Sequence, residues 1–597
     1  MSCSRACFFF RAVLLFVFAV LFAPDSARAT IGYSVSIAQP EQHSFRVTMS
    51  IPNVKEECVV QLPAWNATYQ IRDFAQRIQD VRARDGAGAT LPLEKLDKQT
   101  WRIRGRGKVT VEYSSFWDEP GPFSSQLNSS HAFINLALIL FYVPARRAED
   151  VRIDFADVPA NWAIGLALRP GETSSTFLAA SYDALADAPV EISEFQQFRF
   201  AAHGGGRDFT VRVVVHGDNW SQAQLSEVLR KIVVTGTDLM RDAPFEEFLF
   251  IYHFGAAASG AGGGMEHANS TAIHVGAAGN AAGVSAHEFF HLWNVKRVRP
   301  RSLEPVDYTR ENWTRALWFA EGVTSTFANY ILLRSGLWTR RQFLDDLAQQ
   351  LTELESRPAH RWKSVEEASL DAWFEKYALY RRSDFSISYY NKGQILGVLL
   401  DILMRDASDN RAGLDDLMRA LNENFAKRGR TYEDTADIRA TAEKLAGKHL
   451  GDFFARYVSG TAELPAREML AHAGLRLETE ALTRADFGFI TGHGPDGLVV
   501  ATQVESGSAA EQAGLRLGDI LLEVNGGAFP RNAERWLREH HPGETVKLRI
   551  RRNGAEREVS LTLGRRQESV YTMEEDANAG EKQRRIRESL LRGVGYR

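Results

Sequence analysis

His287-Glu288-Phe289-Phe290-His291 is the stretch whose reading decides the fold. On a helix, positions i and i+4 lie on one face, so both imidazoles of this H-E-x-x-H reach a single metal ion. Zinc suits imidazole and carboxylate donors, and a catalytic zinc site keeps one position open for water. Glu288 is placed to act on that water as general base rather than to bind the ion. Ala286, Phe289, Phe290, Leu292 and Trp293 make the helix apolar nearly all round, which predicts burial. A surface helix with two incidental histidines does not look like this. Two buried histidines and a buried glutamate need strong partners, and a metal supplies them.

A third ligand is expected on a following helix. Leu317-Trp318-Phe319-Ala320-Glu321-Gly322 sets one acid inside an apolar segment, thirty residues beyond His291. A lone buried glutamate also occurs as an arginine partner, but beside an H-E-x-x-H it reads as a ligand. The expected centre is one Zn2+ per chain on His287, His291 and Glu321.

Working outward, the texture of the chain changes several times. Arg5 and Arg11 precede an apolar run from Ala12 to Ala23, and Ala27-Arg28-Ala29 follows. This is the order of a secretory signal peptide over 1–29, with periplasmic or extracellular export as its consequence; an uncleaved anchor is the other reading. No second long apolar stretch appears, so no membrane span is expected in the mature chain. From 30 to 216, strand-like alternation such as Phe209-Thr210-Val211-Arg212-Val213 predicts an N-terminal β-rich domain. From 217 to 465, a strand at Phe245–Phe254, a Gly/Ala-rich loop and then mostly helical segments predict the catalytic domain. Residues 466–566 return to short strands and Gly-rich turns. The highly charged 567–597 reads as a solvated helix or disordered tail.

The bulk numbers set limits. A chain of 597 residues exceeds one hydrophobic core, and a net charge of -4 from 71 basic and 75 acidic residues offers no nucleic-acid footprint. Cys3 and Cys7 fall in the signal segment; Cys58 alone remains, read as a small apolar residue in a strand. His253 and His274, which flank the Gly-rich loop, lack ligand spacing to the central motif and read as structural.

The motifs together resemble the gluzincin metallopeptidases. Trp293 follows the second histidine as in aminopeptidase N-like enzymes, and Trp318 to Gly322 matches their Trp-x-x-Glu-Gly. The separation of motif and glutamate is longer here. With the run His291 to Arg297 and a PDZ-like module, it is similar to the glycyl aminopeptidase family of PDZ-containing metallopeptidases. The resemblance implies a thermolysin-like α+β catalytic domain with a mostly helical C-terminal half. It also implies two further roles. Gly264-Met265-Glu266 is similar to the Gly-x-Met-Glu-Asn exopeptidase motif, whose carboxylate binds the substrate's free amine; His267 stands where that motif has Asn. A Gly-rich lid with an incidental acid is the other reading. Tyr389-Tyr390-Asn391-Lys392-Gly393 is similar to the segment whose tyrosine stabilises the oxyanion, which gives Tyr390 that role and leaves Tyr389 as packing, or the two exchanged. In the PDZ-like module, Phe487-Gly488-Phe489 resembles the loop that receives a peptide C-terminus, and a purely structural module is the alternative.

The expected activity is that of a zinc aminopeptidase acting on peptides with a free N-terminus, preferring small residues, Gly or Ala, with Glu288 assisting attack by water. An endopeptidase of the same chemistry, or a PDZ scaffold with a dead catalytic domain, are the competing readings. Glu266 argues against the first, and the retention of His287, Glu288, His291, Glu321 and Tyr390 against the second.

Overall fold

The structure is a computed structural model that describes residues 30–66, 69–255, 262–276, 281–375, 382–494, 497–530 and 532–593. The signal segment 1–29 lies outside the described residues.

The first domain is built on a seven-stranded sheet in which Ile31–Ser36, Ser44–Val54 and Gly107–Phe116 are consecutive neighbours. Strict alternation buries Ile31, Tyr33 and Val35 on one face. The apolar run 136–143 is buried beneath that face, and its carbonyls need donors. Buried tyrosine hydroxyls supply them: Tyr33 donates to Phe141 O at 2.9 Å, Tyr113 to Ile139 O at 2.8 Å and Tyr182 to Leu140 O at 2.8 Å. Cys58 lies in the strand Glu57–Gln61, and burial pushes its thiol up to about 11, as expected for an unreactive side chain. A smaller sheet carries β1 (His131–Asn135) and β2 (Pro189–Ser193), paired antiparallel.

The catalytic domain rests on a five-stranded mixed sheet. Its strands are β3 (Gln196–Gly204), β4 (Arg207–Gly217), β5 (Glu247–Phe254), β6 (Gly263–Glu266) and β7 (Ser270–Val275), in the order β3-β4-β5-β7-β6. β4, β5 and β7 run parallel, and the edges β3 and β6 are antiparallel to their neighbours. The expected domain boundary at residue 216 therefore falls inside this sheet. Alternation marks β3 and β4 as strands but carries no information on which sheet they join. One face, with Val213, Val215, Phe250, Tyr252 and Ile273, packs on α1 (Gln222–Met240) and α2 (Ala281–Phe290). The other face turns Val214, Leu249, Ile251 and Ala272 toward Phe133 of β1.

The helical half follows, with α3 (Thr324–Arg334), α4 (Arg340–Ser356) and α5 (Tyr389–Ala407). Just before α3, Trp318–Val323 winds as a π-helix. This turn and α5 meet backbone to backbone. A Cβ on Gly322 would lie 2.5 Å from Gly393 Cα, and one on Gly393 would lie 2.3 Å from Trp318 O. Neither glycine is in the left-handed region, so the close approach alone demands them.

Past the catalytic domain the chain runs up β8 (Leu475–Asp486), through the PDZ module, and back down β9 (Gly564–Glu575), which pairs with β8 along its whole length. The PDZ core holds Phe487, Phe489, Leu521, Leu548 and Ile550, while Leu475, Leu477 and Met573 belong to the catalytic core. The tail is not solvated. After β9, α6 (Glu581–Arg592) buries Ile586, Leu590 and Leu591 in the catalytic core. Arg334 donates to Leu590 O at 2.8 Å, and Arg340 pairs with Glu588 at 2.7 Å. The charged residues mask an amphipathic helix whose apolar face is short. Among the described residues, no helix is long and apolar enough to cross a membrane.

Candidate metal centre

α2 ends on the H-E-x-x-H, and its geometry is that of a donor set. His287 Nε2 and His291 Nε2 are 3.0 Å apart, and Glu321 Oε2 lies 3.4 Å from the first and 3.2 Å from the second. His291 Nδ1 donates to Asn294 O at 2.8 Å, which turns Nε2 toward the centre. His287 Nδ1 is 3.3 Å from Ser325 Oγ. Two imidazole nitrogens and a carboxylate converging in a buried place attract a cation. Their charges report the same. Burial opposes charge on His291, but the carboxylates of Glu321, Glu266 and Glu288 outweigh it and lift its pKa to about 10. Burial also opposes charge on Glu321, and His291 and His287 hold it well below the carboxylate range. On His287, burial prevails and the pKa falls. The residues present thus fit a divalent metal.

The neighbouring structure aims these groups. Asn294, just after the motif, donates through Nδ2 to Phe319 O at 2.8 Å and to Thr324 Oγ1 at 3.0 Å, tying the π-helical turn of Glu321 to the end of α2. One residue thereby orients two of the three donors. No sequence motif announced it, because its partners are two backbone carbonyls and a threonine. The next residue, Val295, sits at φ 96°, a strained conformation for a β-branched side chain costing on the order of 1–3 kcal/mol, and it faces the cavity.

A cavity of about 160 Å³ opens over the donors. Glu266 and Met265 reach it from the edge strand β6, Tyr390 from the start of α5, and Trp65, Tyr69 and Phe123 from the first domain. Gly264 is set flush against Glu288: a Cβ there would fall 2.2 Å from Glu288 Cγ. Ligand atoms of Glu266, Glu288 and His291 lie within 4.8 Å of one another. Tyr390 has its ring centroid 6.0 Å from that of His287, and burial with the nearby Glu321 charge raises its pKa far enough to keep the hydroxyl a donor. Tyr389 is buried in packing and is not among the cavity residues. His267 turns away from the cavity. Its Nδ1 is 3.3 Å from Asp187, which also binds Lys296 Nζ at 2.6 Å and Ala268 N at 2.8 Å. Burial opposes the charge of Asp187, but Lys296 and His267 depress its pKa, and the cluster latches the loop after β6 to the first domain. In the PDZ module, Phe487 and Phe489 stack at 5.0 Å inside the core, with Gly488 between them at φ 73°. The following strand, Phe489–His493, is an edge of its sheet.

Residues 280–396 match the family model of the M61 glycyl aminopeptidase, residues 32–194 that of the Peptidase M61 N-terminal domain, and residues 474–563 that of a PDZ domain. A search of curated proteins returned no match. Among solved structures, the chain is similar to the aminopeptidase N family protein from Idiomarina loihiensis, 25% identical, with a TM-score of 0.81 over 94% of this chain and 100% of that one. It also aligns to Legionella pneumophila aminopeptidase A in complex with aspartic acid, at 12% identity and a TM-score of 0.44 over 92% and 57% of the two chains, a likeness that carries no weight here. Fold, centre and matches together define a metallopeptidase. More closely, its catalytic part matches the M61 glycyl aminopeptidase model, with a match to the M61 N-terminal domain before it and to a PDZ domain behind it.

Proposed function

We propose that this metallopeptidase is a zinc-dependent aminopeptidase that removes small N-terminal residues, glycine or alanine, from peptides. The observation that carries the reading is Glu266, a carboxylate on the cavity wall within 4.8 Å of the donor atoms of Glu288 and His291. A substrate ammonium paired there holds the first peptide bond at the donor set, with space for one side chain between. Trp65, Tyr69, Phe123 and Met265 narrow that space, which favours a small residue.

His287, His291 and Glu321 would hold the zinc, which when bound supplies Lewis acidity to polarise the scissile carbonyl and lower the pKa of water. Glu288 takes the proton from the attacking water and returns it to the departing amine. Tyr390 donates a hydrogen bond to the oxyanion that develops on the carbonyl oxygen. Asn294 and Ser325 keep the donors oriented throughout.

Two further readings belong with this one. The edge strand Phe489–His493, beside the Phe487-Gly488-Phe489 loop, is suited to adding a peptide strand by its C-terminus. The N-terminal sequence favours export to the periplasm or outside the cell, with mature protein starting near Thr30.

The test is hydrolysis of a series of aminoacyl anilides after chelator treatment and after zinc is restored. Activity is expected to vanish and return, with Gly and Ala preferred over Leu and Phe by at least about tenfold, the lower end of what one or two methylenes decide in a pocket. Equal rates across the series overturn the small-residue reading, and full activity without metal overturns the rest.

A further inference from the structure

A second cluster lies apart from the cavity, at the seam between the two domains. His216, His253 and His274 form one row across β4, β5 and β7, in register as His216↔His253 and His253↔His274. Alternation sets them on the face that carries Val214, Leu249, Ile251 and Ala272, the face turned toward the first domain. From β1 and β2, His131 and Glu191 come to meet the row. His253 Nε2 is 2.9 Å from Glu191 Oε2, His131 Nδ1 is 3.5 Å from Oε1 and His216 Nδ1 is 3.7 Å from Oε1.

The side chains that meet here are of the kinds that hold a metal ion. Glu191 is wholly buried, and among the described residues its ion-pairing partners are histidines only, with no lysine or arginine. His131 Nε2 lies 3.1 Å from Gln126 Oε1, which leaves Nδ1 turned to Glu191. That buried Nδ1 makes no hydrogen bond and faces a carboxylate oxygen. A buried ring nitrogen without a hydrogen bond beside a buried carboxylate is costly, and an ion held between them satisfies both. Ser193 Oγ donates to Glu191 Oε1 at 2.6 Å and fixes the carboxylate from behind.

We propose that His131, Glu191 and His253 bind a second divalent transition-metal ion of the zinc class that staples the N-terminal domain to the catalytic sheet. Ligand atoms of the three lie within 4.8 Å of one another. Around zinc, bonds of about 2.0–2.1 Å in a tetrahedron separate donors by about 3.3 Å. The spacings from Glu191 to His253 and His131, 2.9 and 3.5 Å, bracket that value as those of the catalytic set do at 3.0 to 3.4 Å. Two imidazoles and one carboxylate suit zinc better than calcium or magnesium. His216, with its side chain 17% exposed, gives the ion a way in. No member of this cluster lines the catalytic cavity, so its ion is structural, and its binding free energy adds to the stability of the joined domains.

Metal content of the full-length chain carrying His287→Ala and His291→Ala tests this. The protein is stripped with a chelator, equilibrated with zinc alone, desalted and assayed for zinc per chain and for thermal unfolding. One zinc per chain is expected to remain, with a higher melting temperature than the stripped form. Adding Glu191→Gln is expected to bring the content to near zero. Because that variant alters a buried carboxylate, His131→Asn on the other side of the ion serves as a second arm, with zinc affinity at least about tenfold weaker in competition with a chromogenic chelator. A folded His287→Ala/His291→Ala protein that takes up no zinc overturns the proposal, and so does unchanged zinc affinity in both the Glu191→Gln and His131→Asn variants.

Discussion

Replacing Gly322 by alanine places a methyl group 2.5 Å from Gly393 Cα and 2.6 Å from the carbonyl oxygen of Tyr389. Both neighbours are backbone atoms of α5, so no side chain can swing aside. Ordinary contact begins at 3.4 Å, and α5 must retreat by about 0.9 Å to reach it. The stability cost is modest. Overpacking costs about 1–3 kcal/mol, and the greater helix preference of alanine over glycine returns about 1 kcal/mol. The cost to catalysis is larger, because the retreat carries Tyr390 away from the π-helical turn that holds Glu321. A displacement near 1 Å between reacting groups is worth on the order of a hundredfold in rate. The expected signature is kcat lower by about two orders of magnitude in a protein that remains folded. The assay is kcat and KM on an alanyl anilide beside a thermal melt. A variant that keeps kcat within about twofold of wild type refutes the reasoning. So does one whose loss merely follows its unfolded fraction.

Glu288→Gln is expected to keep the metal and lose at least about a hundredfold in kcat, the lower range for removal of a general base; metal analysis beside kinetics checks it, and loss of the ion would reassign Glu288 as a ligand. Tyr390→Phe is expected to lower kcat by about ten- to a thousandfold with little change in KM, since the oxyanion is absent from the ground state; an effect confined to KM makes Tyr390 a binding residue. His291→Ala is expected to abolish both the catalytic ion and activity without touching the zinc proposed at the domain seam, so that zinc analysis reads one ion per chain where wild type reads two.

How much of this was readable beforehand follows from distance along the chain. H-E-x-x-H is a five-residue pattern on one helix, and Glu321 stands out as a single acid in an apolar turn; both are local, and the structure brings their donor atoms within 3.4 Å. Gly264 and Gly393 could be quoted as parts of motifs, but the reason for each, Glu288 Cγ in one case and Trp318 O in the other, lies on another element. The strands β3 and β4 were legible as strands and illegible as members of the catalytic sheet, because alternation fixes a face and not a neighbour. Charge hid α6, whose buried residues Ile586, Leu590 and Leu591 are scattered among arginines and glutamates. The seam cluster draws on β1, β2, β4, β5 and β7, so His253 and His274 read singly as structural, and His131 and His216 drew no notice, until the register aligned them.

The central claim, that this metallopeptidase attacks the bond next to a free N-terminus, rests on Glu266. A carboxylate paired with the substrate ammonium contributes a charge-assisted hydrogen bond of about 1.5–3 kcal/mol, and acetylating the amine removes it. The decisive measurement is kcat/KM on matched free and N-acetylated alanyl substrates, for the zinc-restored wild type and for Glu266→Ala. The free amine is expected to win by at least about tenfold in the wild type, at about 1.4 kcal/mol per decade, with most of that preference gone in Glu266→Ala while the zinc stays in place. Equal rates on the two substrates in the wild type contradict the claim and make the protein an endopeptidase.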